Sequence, residues 1–87
     1  MVSAKTRIVD PMGMHMRPAQ RFVQTVMPFA CDVTVLANGR EVDGRSIMDL
    51  MSACLKQGME IEIRCEGRRE AECLQAAVAL VESGMDR

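Results

Sequence analysis

The spacing of hydrophobic residues along this chain alternates between a period of two and a period of about 3.6 residues. A period of two is typical of a strand with one buried face, and a period of about 3.6 is typical of a helix with one buried face. Each segment therefore has one apolar side that another segment must cover. The pattern predicts a fold in which strands and helices pack against each other as two layers.

Four segments show the period of strands. They are residues 2–8, residues 33–35, a short segment around Val42, and residues 61–65. The pair Asn38-Gly39 separates the second segment from the third and predicts a two-residue type I′ turn, because both positions of that turn require positive φ. Since the alternation leaves one face of each strand polar, we expect an antiparallel or mixed sheet.

Three segments show the period of helices. Their apolar stripes are Ala19, Phe22, Val23 and Val26 in the first, Ile47, Leu50, Met51 and Cys54 in the second, and Leu74, Ala77, Val78 and Val81 in the third. Pro18 fits the first turn of the first helix, Pro28 ends that helix, and Gly84 follows the third. The order β-α-β-β-α-β-α predicts a two-layer α+β sandwich, a single domain over residues 1–87.

The composition excludes several classes of function. A net charge of −1, two Phe and no Trp or Tyr do not fit a nucleic-acid-binding protein, which usually has a basic excess and aromatic stacking platforms. A chain of 87 residues has little core to spare for a large substrate cavity. Its N-terminal segment lacks the apolar stretch of a signal peptide, and no run reaches the roughly 18 apolar residues of a membrane span. We therefore expect a cytoplasmic protein with no membrane insertion.

The four cysteines, Cys31, Cys54, Cys65 and Cys73, permit more than one interpretation. An even number allows two disulfides or a zinc site with four thiolate ligands. Their spacing contains no C-x-x-C pair, however, and structural zinc sites normally contain one. For a cytoplasmic protein we favour the interpretation that the cysteines are small buried hydrophobic residues.

The single histidine, His15, directly precedes the first turn of the predicted first helix. The N–H groups and the positive dipole end of a helix N-terminus favour anions, and Arg17 adds a positive charge that can bind phosphate oxygens. An imidazole nitrogen is a good nucleophile near neutral pH and can be phosphorylated reversibly. Position alone, however, more often indicates a surface or capping residue than a reactive one.

Ser46, at the start of the predicted second helix, also has two interpretations. As an N-cap it would stabilise the helix by about 1 kcal/mol, and Asp49 three residues later resembles the second half of a capping box. As a regulatory phosphorylation site it would carry its phosphate at a helix N-terminus, where negative charge is tolerated. Spacing alone favours the cap.

Five motifs of the chain occur together in a known family. They are Gly13-Met14-His15-Met16-Arg17-Pro18-Ala19, Phe22-Val23-Gln24-Thr25, Asn38-Gly39, Ser46-Ile47-Met48-Asp49-Leu50-Met51 and Lys56-Gln57-Gly58. In this order and spacing they resemble HPr, the histidine phosphocarrier family of the bacterial phosphoenolpyruvate-dependent phosphotransferase system. The combination of G-x-H-x-R-P-A with S-I-M-x-L-M is specific, and the resemblance covers nearly the whole chain. It outweighs the plainer interpretations of His15 and Ser46.

The resemblance implies an open-faced β-sandwich, a four-stranded antiparallel sheet with three helices on one face. It implies that His15 accepts a phosphoryl group on Nδ1 from phosphorylated enzyme I and passes it to an enzyme IIA domain, with Arg17 assisting both exchanges. Ser46 corresponds to the position phosphorylated by HPr kinase/phosphorylase in lineages that have this enzyme. The chain would then be a phosphoryl carrier and not an enzyme, a monomer that needs no cofactor or metal.

The resemblance also implies a partner-docking surface beside His15. Its residues would be Met16, Gln20, Gln24, Met27, Ile47, Met48 and Met51. Five of the nine methionines lie in the two segments that flank His15 and Ser46: Met14, Met16, Met27, Met48 and Met51. Because flexible thioethers can repack against different partners, we expect these methionines to form an adaptable contact surface and not only to fill the core.

Some positions depart from the family pattern. Met16 stands where a small residue is usual, Ala53 and Cys54 replace a segment where glycine is common, and Asp49 places a negative charge close to Ser46. Residues 81–86 resemble nitrogen-branch relatives, so both sugar uptake and regulation are open as the pathway. The alternative function is a regulatory binding protein controlled by phosphorylation of Ser46, with little or no phosphoryl transfer through His15.

Overall fold

A computed structural model describes residues 1–85 of the chain. The strands are β1 (Val2–Arg7), β2 (Cys31–Ala37), β3 (Arg40–Asp43) and β4 (Glu60–Gly67), and the helices are α1 (Met16–Val26), α2 (Ile47–Ser52) and α3 (Glu70–Ser83). This order confirms the predicted β-α-β-β-α-β-α arrangement. The segment that resembles nitrogen-branch relatives extends to residue 86, which lies outside the described residues.

The four strands form one antiparallel sheet in the order β1-β4-β2-β3. β4 lies between β1 and β2 although it is the last strand in the sequence, so the sheet is completed only when the C-terminal half of the chain returns to its centre. The turn between β2 and β3 has φ values of +50° at Asn38 and +75° at Gly39. Both are positive, as the predicted type I′ turn requires.

One face of the sheet is buried and the other is exposed to solvent. Ile61, Ile63 and Cys65 of β4 are buried between more exposed neighbours. Val33 pairs with Cys65 and Val35 pairs with Ile63, so β2 contributes its buried residues to the same face. Helix α3 packs against β1 and β4, α1 packs against α3, and α2 packs against α1 and β3. The helices therefore cover one face only, which is the open-faced arrangement that the resemblance implies.

Helix α1 fully buries Ala19, Phe22 and Val26 of its predicted stripe and partly buries Val23. Helix α3 fully buries Ala77 and Val81 and partly buries Leu74 and Val78, and its C-cap Gly84 has a φ of +88°. Within residues 1–85, no helix has both the length and the apolar character needed to cross a membrane.

Helix α2 ends earlier than its hydrophobic spacing predicts. The spacing includes Cys54, but the helix ends at Ser52 and Cys54 adopts a left-handed conformation with a φ of +55°. The Cys54 N–H donates to the Met51 carbonyl at 3.3 Å, and the Cys54 side chain is exposed. This left-handed position after a helix is the one where glycine is preferred, because glycine has no Cβ. The prediction that all the cysteines are buried is therefore wrong for Cys54.

Replacing Cys54 with glycine is expected to stabilise the protein. A non-glycine residue in the left-handed region costs about 1–2 kcal/mol, which the substitution with glycine removes. The larger backbone entropy of glycine in the unfolded chain offsets part of this stabilisation. We therefore expect Cys54→Gly to raise the free energy of unfolding by about 1 kcal/mol, measured by urea denaturation. Cys54→Ala is the matched control, because it removes the thiol and keeps the Cβ. Equal changes in the two variants would show that the backbone conformation is not the cause.

Candidate functional site

The segment before α1 is held by backbone contacts with the chain that follows α2. The Met14 N–H donates to the Leu55 carbonyl at 2.8 Å, and the Gly13 N–H donates to the Asp10 carbonyl at 2.9 Å. Gly13 has a φ of +69°, and a Cβ at this position would overlap the Leu55 carbonyl oxygen and lie 3.0 Å from the Lys56 Cα. The close approach of the two segments therefore requires glycine at position 13.

A buried carboxylate ties the same segment to the end of α3. Asp10 is buried, and its Oδ1 accepts a hydrogen bond from the Met85 N–H at 3.0 Å. Met85 is itself fully buried. The sequence offers no periodic signal for Asp10 or Leu55, because neither lies in a regular element and both make hydrogen bonds to residues distant in sequence.

His15 is the N-cap residue of α1. Its backbone is extended, its carbonyl accepts the first helical hydrogen bond from the Ala19 N–H at 3.0 Å, and its side chain does not cap the helix. The His15 side chain is half-buried, whereas Arg17 is exposed. The helix therefore fixes the His15 backbone, and the imidazole makes no capping hydrogen bond to the helix.

The N-terminus of α1 suits an anionic group. The first N–H groups of a helix have no carbonyl partner within the helix, and the helix dipole places partial positive charge there. A phosphoryl group on His15 would stand at this end of an 11-residue helix, two positions from the guanidinium-bearing Arg17. Charge-assisted hydrogen bonds from a guanidinium to phosphoryl oxygens are stronger than neutral ones.

Ser46 is the N-cap of α2, as the sequence predicts. Its Oγ accepts a hydrogen bond from the Asp49 N–H at 3.2 Å. In a complete capping box the Asp49 carboxylate would accept a hydrogen bond from the Ser46 backbone N–H. Here Asp49 Oδ2 accepts from the Asp43 N–H at 3.4 Å instead, so the box is incomplete. The Ser46 hydroxyl therefore lies at the N-terminus of α2, where its oxygen is hydrogen-bonded to the Asp49 backbone N–H.

The residues expected to dock partners lie on two helices that pack against each other. Met16, Gln20, Gln24 and Met27 are exposed at the spacing of one face of α1 and its C-cap, and α2 contributes exposed Met48 and Met51 and half-buried Ile47. Met48 is 80% exposed, which is unusual for a large apolar side chain.

Met14 does not belong to the contact surface that the sequence suggests. Its side chain is only 4% exposed and forms part of the hydrophobic core. The reason is the hydrogen bond from Met14 to Leu55, which turns this residue inward just before α1 begins. Of the five methionines expected at the surface, Met16, Met27, Met48 and Met51 are exposed and Met14 is not.

The remaining cysteines, Cys31, Cys65 and Cys73, are buried, as the favoured interpretation predicts. Burial raises the pKa of the Cys65 and Cys73 thiols, since a thiolate is poorly solvated in an apolar surrounding. Both thiols are therefore neutral under ordinary conditions and pack as apolar groups.

Comparison with known proteins places most of the chain in one family. Residues 2–83 match the PTS-HPr family, described as "PTS HPr component phosphorylation site". The phosphocarrier protein HPr of Neisseria meningitidis serogroup A is 35% identical over 81 residues, which span 93% of this chain and 91% of that protein. Both similarities extend well beyond the segment around His15.

Solved structures share the fold. HPr-C-His of Thermoanaerobacter tengcongensis has a TM-score of 0.94 and 34% identity, with 100% of this chain and 98% of that chain covered. The catabolite repression protein Crh of Bacillus subtilis, described as a dimer with a swapped domain, has a TM-score of 0.78 and 35% identity, with 95% of each chain covered. These matches confirm the four-stranded antiparallel open sheet with three helices.

The close approach at Gly13 makes a prediction about stability. Gly13→Ala introduces both a strained positive φ and an overlap with the Leu55 carbonyl, and we expect it to lower the free energy of unfolding by about 3 kcal/mol in urea denaturation. Gly39→Ala is the matched control, because Gly39 also has positive φ but a Cβ there would meet nothing within 4 Å. The control should cost about 1 kcal/mol. If both variants lose the same stability, the contact with Leu55 is not what requires glycine.

Proposed function

Because this chain belongs to the PTS-HPr family of phosphocarrier proteins, we propose that His15 accepts a phosphoryl group from phosphorylated enzyme I and passes it to an enzyme IIA domain. The observation that carries this proposal is the placement of His15 at the N-cap of α1, with a side chain that does not cap the helix and with Arg17 exposed beside it. This arrangement supports a reversible phosphoryl acceptor at the protein surface.

The exchange at His15 is a displacement at phosphorus. The lone pair of a ring nitrogen of neutral His15 forms the N–P bond, and the bond between phosphorus and its donor atom on enzyme I breaks with its electron pair remaining on that donor. In the second exchange the N–P bond breaks and its electron pair returns to the imidazole. The α1 N-terminus and Arg17 would stabilise the charge on the phosphoryl oxygens in both steps.

We propose that the chain is a carrier and that its partners supply catalysis. The sequence holds one histidine, so when His15 is the nucleophile the chain has no second imidazole to act as general base. The transferred group is also presented at a helix end and not in an enclosed cavity. A small protein suffices for this task, because the larger partners can surround the phosphoryl group during each exchange.

The docking surface in this proposal combines the exposed faces of α1 and α2. Met16, Gln20, Gln24 and Met27 supply the α1 side, and Ile47, Met48 and Met51 supply the α2 side. Exposed thioethers can change rotamer at low cost, which suits a surface that must fit both enzyme I and an enzyme IIA domain.

Ser46 supports a second role for the same protein. Its hydroxyl lies at the N-terminus of α2, two residues before the exposed Met48, and a similar protein, Crh, is described by its part in catabolite repression. We propose that a kinase of the HPr kinase/phosphorylase type phosphorylates Ser46. Negative charge added there would weaken docking at an apolar surface, because the phosphate must be desolvated or excluded from it.

We also propose that the chain works as a monomer. β1 pairs with β4 of the same chain through six residue pairs, from Val2 with Cys65 to Arg7 with Glu60, so the pairing of these two strands needs no second molecule. Sedimentation equilibrium at micromolar concentration should give a single species of 9.6 kDa. A stable species of twice that mass would contradict the monomer.

Phosphorylation assays test the role of His15 and Arg17. Incubation with enzyme I and phosphoenolpyruvate should add one phosphate that is labile to acid and stable to base, and His15→Ala should abolish it without unfolding the protein. Arg17→Glu should slow the exchange at least about tenfold, since it replaces an attraction to the phosphoryl group with a repulsion.

The matched control for Arg17→Glu is Arg68→Glu, the same charge change at an exposed position in the turn between β4 and α3. We expect it to leave the exchange rate within about twofold, because exposed charges away from a site contribute little. Equal slowing in the two variants would assign the effect to net charge and not to Arg17. Acid-stable phosphate that Ser46→Ala removes, with none on His15, would favour the regulatory alternative.

The methionine surface is tested with two residues of equal exposure. Met48→Ala should weaken the binding of enzyme I by about tenfold, because it removes a large apolar contact from the proposed interface. Met12→Ala is the control, since Met12 is 79% exposed and lies beside the end of α3. Isothermal titration calorimetry measures both affinities. The proposed surface is wrong if Met12→Ala weakens binding as much as Met48→Ala does.

A further inference from the structure

Three cysteine sulfurs meet in the core at the end of the sheet. Cys31, Cys65 and Cys73 are all buried, and their Sγ atoms lie within 4.8 Å of one another. The Sγ atoms of Cys65 and Cys73 are 3.7 Å apart. We refer to these three residues as the thiol cluster.

The fold assembles the thiol cluster from three elements. Cys31 begins β2 and pairs with Gly67 of β4, so Cys65, two residues before Gly67, is its diagonal neighbour on the buried face. Cys73 comes from the first turn of α3, which packs on β4. A Cβ on Gly67 would lie 3.0 Å from the Cys31 Cβ, so the glycine leaves room for the Cys31 side chain beside Cys65.

The separations in the thiol cluster match those of a metal–thiolate site. With metal–sulfur bonds of about 2.3 Å, two sulfurs on one ion lie about 3.8 Å apart in a tetrahedron and about 4.0 Å apart in a trigonal plane. The 3.7 Å between Cys65 and Cys73 is close to these values. The third sulfur, within 4.8 Å of both, needs to move by less than about 1 Å to complete a trigonal set.

The ligand set favours a soft cation that accepts three sulfurs. The group of candidate ligands within residues 1–85 consists of these three thiols, with no imidazole or carboxylate to complete a tetrahedron. Thiolate ligands suit Cu(I), zinc and iron–sulfur clusters, but structural zinc sites have four protein ligands and this cluster offers three. We propose that the thiol cluster is a three-sulfur binding site for Cu(I).

Each sulfur that binds the ion exchanges its proton for the metal and releases that proton to solvent. No electron is transferred, because copper enters and stays as Cu(I). Two features of the fold offset part of the negative charge of the resulting thiolates, although the Glu70 carboxylate opposes a thiolate at Cys65. Cys73 lies at the positive end of α3, and the Arg45 guanidinium donates to the Cys31 carbonyl at 2.6 Å.

Copper titration in the Cys54→Ser background tests the site. This substitution removes the exposed thiol, so the remaining three cysteines are those of the thiol cluster. The reduced protein is titrated without oxygen with Cu(I), supplied as its acetonitrile complex, against a chromogenic Cu(I) chelator. We expect one bound ion per chain and three sulfur neighbours in copper X-ray absorption. If the chelator removes all the copper at equimolar concentration, the proposal is overturned.

Two further variants locate the ion. Cys31→Ala and Cys73→Ala, each in the Cys54→Ser background, should lower the Cu(I) affinity by at least about 100-fold, since each removes a direct ligand. Far-ultraviolet circular dichroism of the metal-free variants establishes that they are folded. Because the two cysteines lie on different elements, a folding defect in one variant leaves the other as the test. An affinity unchanged in a folded variant would overturn the three-sulfur site.

Discussion

The hydrogen bond between the Met14 N–H and the Leu55 carbonyl is the constraint on which the functional end of the molecule depends. It requires glycine at position 13, turns the Met14 side chain into the core, and sets the point where α1 begins. His15 is the next residue, so its backbone position follows directly from this contact. The hydrogen bond from Met85 to the Asp10 carboxylate secures the other side of the same segment.

A fixed backbone beneath adaptable side chains suits the proposed exchange with more than one partner. Fully buried Ala19 and Phe22 anchor α1 from the first turn onward, so the helix N-terminus keeps its orientation towards any group on His15. The exposed surface nearby is built from methionine, whose rotamers interconvert easily. The buried side of α1 therefore fixes the position of the proposed phosphoryl acceptor, and the exposed side of the same helix supplies the adaptable surface proposed for docking.

The fold was predictable where local patterns and long-range packing agree. The alternation in β4, the Asn38-Gly39 turn and the Ser46 cap each act through neighbours in sequence, and each is found in the structure. The prediction failed where backbone geometry overrides hydrophobic spacing. Cys54 continues the helical spacing of α2 but adopts the left-handed conformation that ends it, and Met14 is buried by one distant carbonyl. Neither effect has a periodic signature in sequence.

The thiol cluster also could not be predicted from the sequence, because its cysteines are brought together by strand register and not by their spacing in the sequence. Helix α1 lies between His15 and the cluster in the chain: His15 directly precedes its first residue, and Cys31 follows its end after residues 27–30. Eleven helical residues span about 16 Å. A copper ion between β2, β4 and α3 would therefore stabilise the core without contact with the proposed phosphoryl acceptor. The proposed metal site and the proposed phosphoryl site are compatible in one small chain, since they use different ligands at opposite ends of α1.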